Sequence, residues 1–175
     1  MHPSPRRPHV LSDCPVVLVR PRYPENLGAV ARAMRVSGFE DLVLVAPHPL
    51  ADPSHEQAIK LAVGSSDLLA KARVLPSLSH VRRERNLVVA TSARRGVSGV
   101  LSPKELASHL LSRAQRGEGA ALLFGGERTG LRKAEVDGCD VVCRIPMVGN
   151  EPSLNLAQAV MVVLYELLVA ALDRA

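Results

Sequence analysis

Aromatic residues are scarce in this chain of 175 residues, which has no tryptophan, two tyrosines and two phenylalanines. Proteins that bind single-stranded nucleic acid without sequence preference stack successive bases on several aromatic side chains. With so few aromatic rings, a stacking platform of that type is nearly excluded.

Long apolar runs are also missing. A membrane span needs roughly 18 apolar residues in succession, and the best candidate, residues 154–172, is interrupted by two amides and one carboxylate. The N-terminal segment has two arginines but no apolar stretch, so it does not have the pattern of a secretory signal. We predict a disordered tail over residues 1–12, a single domain over residues 13–175, and no membrane partner.

The chain has only three cysteines, which is an odd number: Cys14, Cys139 and Cys143. Without a secretory signal, this indicates a reducing compartment, so we expect a cytoplasmic protein whose thiols pack in the core rather than form disulfides. Cys139 and Cys143 have no histidine or further cysteine at ligand spacing, and we therefore predict no metal site.

Positive charge is in excess, because 22 lysines and arginines face 17 acidic residues and give a net charge of +5. Only four of the 22 are lysine, and arginine is the residue that recognises phosphate with a planar pair of donors. The excess favours an anionic partner, for which nucleic acid is the usual case. Solvated surface arginines explain the same composition equally well.

Short β-branched runs alternate with amphipathic segments along the whole chain. Strands that are apolar throughout and separated by helices indicate a parallel sheet covered on both faces, so we predict an α/β fold. The predicted strands are 15–20, 42–46, 73–75, 86–91, 120–124 and 141–145, and the predicted helices are 26–38, 54–64, 102–117 and 153–173.

Four polar residues precede the predicted helices at positions where an N-cap is expected: Asn26, Ser54, Ser102 and Ser153. Ser54 and Ser102 are each followed three residues later by glutamine or glutamate, which is the capping-box pattern. The last helix carries an apolar stripe that we interpret as core or dimer interface: Leu156, Val160, Val163, Leu164 and Leu167.

The glycine-rich and polar stretches all follow predicted strands, and in a parallel sheet those positions meet at one edge, where ligands bind. Common nucleotide signatures are absent from them. Gly125 and Gly130 have the spacing of a phosphate-binding P-loop, but Leu131 and Arg132 replace the required lysine and hydroxyl residue. No nucleophile elbow is present, so a catalytic triad is not expected.

Three segments resemble the motifs of SpoU/TrmH-type RNA 2′-O-methyltransferases of the SPOUT superfamily. They are NLGAVARAM at 26–34, FGGERTGL at 124–131 and SLNLAQAV at 153–160. All three occur in order over nearly the whole chain. Within that family, the PEN lead-in at 24–26, AVGSSD at 62–67 and TSAR at 91–94 are most similar to the TrmJ group.

The resemblance implies a C-terminal trefoil knot, a homodimer and S-adenosyl-L-methionine as methyl donor. By position, the residues that would line the donor pocket are Thr91, Ser92, Ala93, Gly125, Ile145, Ser153, Leu154 and Asn155. The positions of the family's catalytic centre are Asn26, Arg32, Glu127, Ser153 and Asn155. The implied activity is ribose 2′-O-methylation of RNA, with the tRNA anticodon loop as the expected target and rRNA as an alternative.

The roles follow from the side chains. A free arginine stays protonated at any ordinary pH, so we interpret Arg32 as a phosphate clamp rather than a base. Glu127 is expected to pair with an arginine or with the N-terminal end of a helix.

Members of the TrmJ group commonly carry a further helical segment beyond the knotted domain, whereas this sequence stops at Ala175. Two other hypotheses remain open. One is a catalytically inactive dimeric RNA-binding module of the same fold, and the other is an unrelated nucleotide-binding α/β enzyme.

Overall fold

The computed structural model describes residues 13–94, 96–148 and 153–174. The expected tail at residues 1–12 lies outside the described residues. The strands are β1 Val16–Val19, β2 Leu42–Val45, β3 Arg73–Leu75, β4 Leu87–Thr91, β5 Val100–Leu101, β6 Ala120–Gly125 and β7 Val141–Cys143. The helices are α1 Pro24–Ser37, α2 Glu56–Leu61, α3 Ser66–Ala70, α4 Leu78–Glu84, α5 Pro103–Ala114, α6 Lys133–Asp137 and α7 Leu156–Leu172.

The strands form one sheet in the order β3-β2-β1-β6-β4-β7-β5, and every pair of neighbours runs parallel. Alternate residues of the interior strand β1 face opposite sides, so that Val16 and Leu18 belong to one core and Val17 and Val19 to the other. The larger core is covered by α1, α5 and α7, and the smaller by α4 and α6. The predicted α/β fold, a parallel sheet with helices on both faces, is confirmed, while the trefoil knot stays a prediction.

Three of the predicted helix caps are wrong. Helix α1 begins at Pro24, two residues before Asn26, because a proline in the first turn has the required φ and needs no hydrogen-bond partner. The N-cap of α2 is His55 rather than Ser54, and its ring nitrogen accepts a hydrogen bond from the backbone of Gln57. The N-cap of α7 is Asn155 rather than Ser153.

The remaining cap signals are confirmed. Ser102 and Glu105 form both bonds of a capping box at the start of α5. Gly38 ends α1 in the left-handed conformation, with φ of 86°, which glycine adopts at little cost. The short elements α3, α4, α6 and β5 had no pattern that indicated them, because each is too short to show a helical or strand period.

Helix α7 packs against α1 and α5, and its predicted apolar stripe is buried in the larger core. None of the helices within the described residues is long and apolar enough to cross a membrane. Cys14, Cys139 and Cys143 are free thiols, and Cys14 and Cys143 are buried. Burial raises the pKa of each of these two thiols to about 12.

Candidate active site

A cavity of about 400 Å³ opens at the carboxyl ends of β4, β6 and β7 and beside the start of α7. It has the size of a small-molecule site. Of the eight predicted donor-pocket positions, seven line this cavity: Thr91, Ser92, Ala93, Gly125, Ile145, Ser153 and Leu154. The eighth, Asn155, is not among the lining residues and instead caps α7 next to them.

The turn after β6 forms one wall of the cavity and depends on glycine. A Cβ atom on Gly125 would overlap the backbone of Gly130 and Leu131, and one on Gly126 would overlap the carbonyl oxygen of Arg20. Gly130 has φ of 61° and pairs with Gly126 in an isolated antiparallel bridge. Only residues without a side chain allow the chain to fold back this closely beside the cavity.

Thr91 contributes a polar atom that lacks a partner. Its hydroxyl oxygen is buried and has no hydrogen-bond partner within the described residues, although Thr91 lines the cavity. Buried hydroxyl groups are normally satisfied, and an unsatisfied one needs a specific explanation. A ligand in the cavity that offers a polar group would supply the missing bond.

Glu127 binds the N-terminal end of α1. Its Oε2 accepts a hydrogen bond from the backbone N–H of Arg22 at 2.9 Å, and its Oε1 accepts from the backbone N–H of Tyr23 at 3.2 Å. Oε1 also accepts from Nδ2 of Asn26 at 2.8 Å. A carboxylate is favoured here by the partial positive charge of a helix N-terminus, as expected for Glu127 from the sequence.

Asn26 and Asn155 continue this network in a fixed order. Oδ1 of Asn155 accepts from the backbone N–H groups of Ala157 and Gln158, which leaves its Nδ2 to donate to Oδ1 of Asn26 at 3.0 Å. Asn26 must then present its own Nδ2 to Glu127. Two helix N-termini, those of α7 and α1, therefore fix the orientation of both amides at the mouth of the cavity.

The structure does not bring Arg32 into this network. Arg32 is exposed on α1, does not line the cavity, and has no hydrogen bond or ion pair with any other described residue. Six residues after Asn26, it lies on a different side of the helix, because each residue turns the helix by about 100°. Of the five predicted catalytic positions, Glu127 and Ser153 line the cavity, Asn26 and Asn155 connect to Glu127, and Arg32 stands apart.

Two arginines that are not among the predicted site residues hold the same turn in place. Nε and Nη2 of Arg94 donate to the carbonyl oxygen of Leu131 at 3.2 and 3.1 Å. Arg20, at the end of β1, contacts Gly130 and Glu135. Their partners lie far away in the sequence, and no spacing pattern could have identified them.

A sequence profile of the SpoU rRNA Methylase family matches residues 13–165. The chain is 41% identical to the tRNA (cytidine/uridine-2′-O-)-methyltransferase TrmJ of Pectobacterium atrosepticum over 94% of its own length and 68% of that protein's. Across several curated relatives, the chain spans 63 to 68% of their length.

Solved structures of similar proteins have the same fold as this chain. The crystal structure of TrmJ from Z. mobilis ZM4 superposes with a TM-score of 0.79 at 36% identity and covers 90% of this chain and 69% of that one. The SpoU methyltransferase AviRb from Streptomyces viridochromogenes, crystallised with the cofactor AdoMet, superposes with a TM-score of 0.70 at 27% identity. That match covers 93% of this chain and 61% of AviRb. Profile, relatives and fold agree, and the chain belongs to the SpoU rRNA methylase family.

Proposed function

We propose that this protein transfers a methyl group from S-adenosyl-L-methionine to a ribose 2′-hydroxyl of RNA, with tRNA as the substrate class. The observation that carries the proposal is the meeting of two features at one edge of the sheet. A cavity large enough for the donor lies directly beside the Asn155–Asn26–Glu127 network.

The cavity fits the donor in its chemistry as well as its volume. Thr91, in its wall, has a buried hydroxyl without a partner among the described residues. Gly125, which also lines the cavity, places no side chain between the main chain and a ligand, so main-chain groups there can bind an adenine edge. When bound, S-adenosyl-L-methionine supplies an electrophilic methyl group on a sulfonium sulfur. The residues of this chain have to hold the donor, exclude water around it and orient the acceptor oxygen.

Glu127 acts as a positioning residue in this proposal. Its two oxygens already accept three hydrogen bonds, so it is poorly placed to remove the proton of the ribose hydroxyl. It holds Asn26 from one side, while Asn155, which is fixed by the N-terminal end of α7, holds Asn26 from the other. As the methyl group moves from sulfur to the ribose oxygen, the sulfur–methyl bond breaks and the proton of the 2′-hydroxyl passes to water at the exposed mouth of the cavity. Ser153, which lies exposed at that mouth, is available to orient the hydroxyl.

Arg32 is proposed to bind an RNA phosphate. It is exposed and has no protein partner among the described residues, which leaves its planar donors available to an anion. Arg35, one turn further along α1, is by contrast paired with Asp67. This difference makes Arg35 a matched control for Arg32, because both are exposed arginines on the same helix.

The substrate class is argued from the relatives. The TrmJ proteins of similar sequence are named as tRNA methyltransferases, whereas the family description names rRNA. We favour tRNA because the TrmJ protein is 41% identical to this chain. We favour the anticodon loop because a solved structure 30% identical to this chain is described as explaining 2-OH methylation of C/U34 on tRNA.

The proposed assembly is a homodimer. While one side of α7 is buried in the core, Val162 and Tyr165 are exposed and lie three residues apart on the other side. Residues at that spacing are neighbours on a helix surface and form a small apolar patch. Val162→Glu should shift the mass measured by light scattering towards the monomer if this patch belongs to the interface.

The test combines binding with methyl transfer. Titration calorimetry with S-adenosylhomocysteine should show binding to the wild type and to Ser153→Ala, and none to Ser153→Arg, whose long side chain would fill the cavity. Transfer of labelled methyl groups to tRNA should then be lost in Arg32→Ala and retained in Arg35→Ala. No binding by the wild type would contradict the proposal, and binding without transfer to tRNA or rRNA would leave an inactive module.

A further inference from the structure

Arg20 occupies a backbone conformation that residues with a side chain rarely adopt. It follows the last residue of β1 with φ of 54°, in the left-handed region. Such a conformation costs free energy and persists only where surrounding contacts fix it, often next to functional sites. The contacts that hold Arg20 in this conformation lie at the turn after β6 and at the end of β2.

The backbone of Arg20 is held from two sides. Its N–H donates to the carbonyl oxygen of Val45 at the end of β2, at 2.8 Å. Its carbonyl oxygen lies against Gly126 so closely that a Cβ atom there would overlap it. The turn after β6 thus rests directly on the main chain of Arg20.

The side chain of Arg20 reaches the other end of the same turn. Its guanidinium donates to both carboxylate oxygens of Glu135, with Nη2 to Oε2 at 2.8 Å, and to the carbonyl oxygen of Gly130 at 3.3 Å. Oε2 of Glu135 also accepts from the backbone N–H of Arg132 at 2.6 Å. The side chains of Arg20 and Glu135 are only 25% and 16% exposed, so water screens this pair little.

Glu135 is charged in this arrangement. Burial acts to raise its pKa, but the hydrogen bonds from Arg20 and from the backbone of Arg132 outweigh burial, and the net pKa is lowered. The pair therefore stays intact at neutral pH.

The turn is held on its other side by Arg94, which donates to the carbonyl oxygen of Leu131, the residue after Gly130. Two guanidinium groups, one from the end of β1 and one from beyond β4, thus bind consecutive carbonyl groups. Gly130 and Leu131 both line the cavity.

We infer that the Arg20–Glu135 pair is a positioning element of the methyl-donor site, which holds the wall formed by residues 126–131 in the shape that binds the donor. Arg20 itself does not line the cavity and acts through Gly126, Gly130 and Glu135. The inference rests on the proposed function, because it concerns the same cavity. It assigns to Arg20 and Glu135 a role in donor affinity that none of the recognised motifs contains.

The geometry requires arginine rather than any cation. A lysine keeps the charge but has a single ammonium group, which cannot bind a carboxylate with two parallel donors and a carbonyl group at once. Arg20→Lys therefore removes the two parallel donors while preserving the positive charge. Glu135→Gln removes the negative charge of the acceptor while preserving the shape of the side chain.

A matched control exists at the opposite edge of the sheet. Arg73, at the start of β3, binds both oxygens of Asp41 at 3.1 and 2.8 Å and also pairs with Glu84. Its geometry is similar to that of Arg20, but it is far from the cavity in the fold, because the start of β3 and the ends of β4, β6 and β7 lie at opposite edges.

The experiment measures S-adenosylhomocysteine affinity by calorimetry together with the unfolding midpoint for the wild type, Arg20→Lys, Glu135→Gln and Arg73→Lys. We expect the dissociation constant to rise about tenfold for Arg20→Lys and Glu135→Gln, the order of effect of a lost charge-assisted hydrogen bond. Arg73→Lys should lower the unfolding midpoint similarly and leave the dissociation constant unchanged. In methyl-transfer assays, the Arg20 and Glu135 variants should raise the KM for the donor far more than they lower kcat.

The outcomes distinguish the positioning role of the Arg20–Glu135 pair from the proposed methyltransferase function. Wild-type binding with Arg20→Lys and Glu135→Gln within twofold of it overturns the positioning role and leaves the proposed function standing. An equal loss of affinity in Arg73→Lys also overturns it, because the effect would then be one of stability. No binding by the wild type overturns the proposed function and this inference with it.

Discussion

Replacing Glu127 by glutamine exchanges one carboxylate oxygen for an amide group at the N-terminal end of α1. In the wild type, three donors converge on the two oxygens, namely the backbone N–H groups of Arg22 and Tyr23 and the side chain of Asn26. Glutamine has a single acceptor oxygen. If it faces Tyr23 and Asn26, its own NH₂ group is placed against the N–H of Arg22, and two donors meet.

The network cannot adjust by turning Asn26 over. A turned Asn26 would present its oxygen to the glutamine amide but its NH₂ group to Asn155, whose own NH₂ group already points there. Asn155 is in turn fixed by the N–H groups of Ala157 and Gln158. The substitution therefore loses one hydrogen bond to a charged group and cannot regain it locally.

The magnitude follows from the contacts. A hydrogen bond to a charged group contributes about 1.5–3 kcal/mol, and partial exposure of Glu127 reduces this, so we expect a loss of about 1–2 kcal/mol. For a chain of this length, each kcal/mol corresponds to roughly 2–4 °C in Tm. Glu127→Ala, which removes all three bonds, should cost about 2–3 kcal/mol, as expected when a helix also loses its N-terminal cap.

The assay is urea unfolding followed by circular dichroism. Glu25→Gln is the matched control, because Glu25 is also a carboxylate in the first turn of α1 but is exposed and has no hydrogen-bond partner among the described residues. It should cost less than about 1 kcal/mol, the range of a helix-dipole interaction at the surface. A Glu127→Gln variant as stable as the wild type, or a loss in Glu25→Gln as large as that in Glu127→Gln, would refute the assigned network.

Three further predictions concern glycine and cysteine. Gly125→Ala should abolish S-adenosylhomocysteine binding in calorimetry, because its methyl group would overlap the backbone of Gly130 and Leu131; unaltered affinity would contradict the assigned wall of the cavity. Gly28→Ala should lower the free energy of unfolding by about 1–2 kcal/mol, since overpacking against the carbonyl group of Ala58 outweighs the helix propensity gained. A variant more stable than the wild type would contradict this, because it would show that α2 can move away from α1. Burial raises the pKa of Cys14 to about 12 from the usual 9.0, which favours the neutral thiol below that pH. At pH 8 its alkylation, followed by mass spectrometry, should be about a thousandfold slower in the native protein than in urea, and equal rates would contradict its burial.

Local pattern was enough to place most of the large elements. The strand predicted at residues 73–75 matches β3, and the capping box of Ser102 and Glu105 forms as its spacing indicates. These features depend on residues within one turn or one strand of each other. Asn26 and Ser153 were placed wrongly as caps for a related reason, because several neighbouring residues could cap each helix and only packing selects among them.

The sequence by itself determined the α/β fold class, and its resemblance to a known family named seven of the residues that line the cavity. Tertiary structure alone decided which side chains meet: Asn26 with Glu127, 101 positions later, and Arg20 with Glu135, 115 positions later. These pairs exist because β1 and β6 are neighbours in the sheet, which brings the segments that follow them to one edge. Strand order results from the packing of the whole chain, so partners joined through it leave no local trace in the sequence.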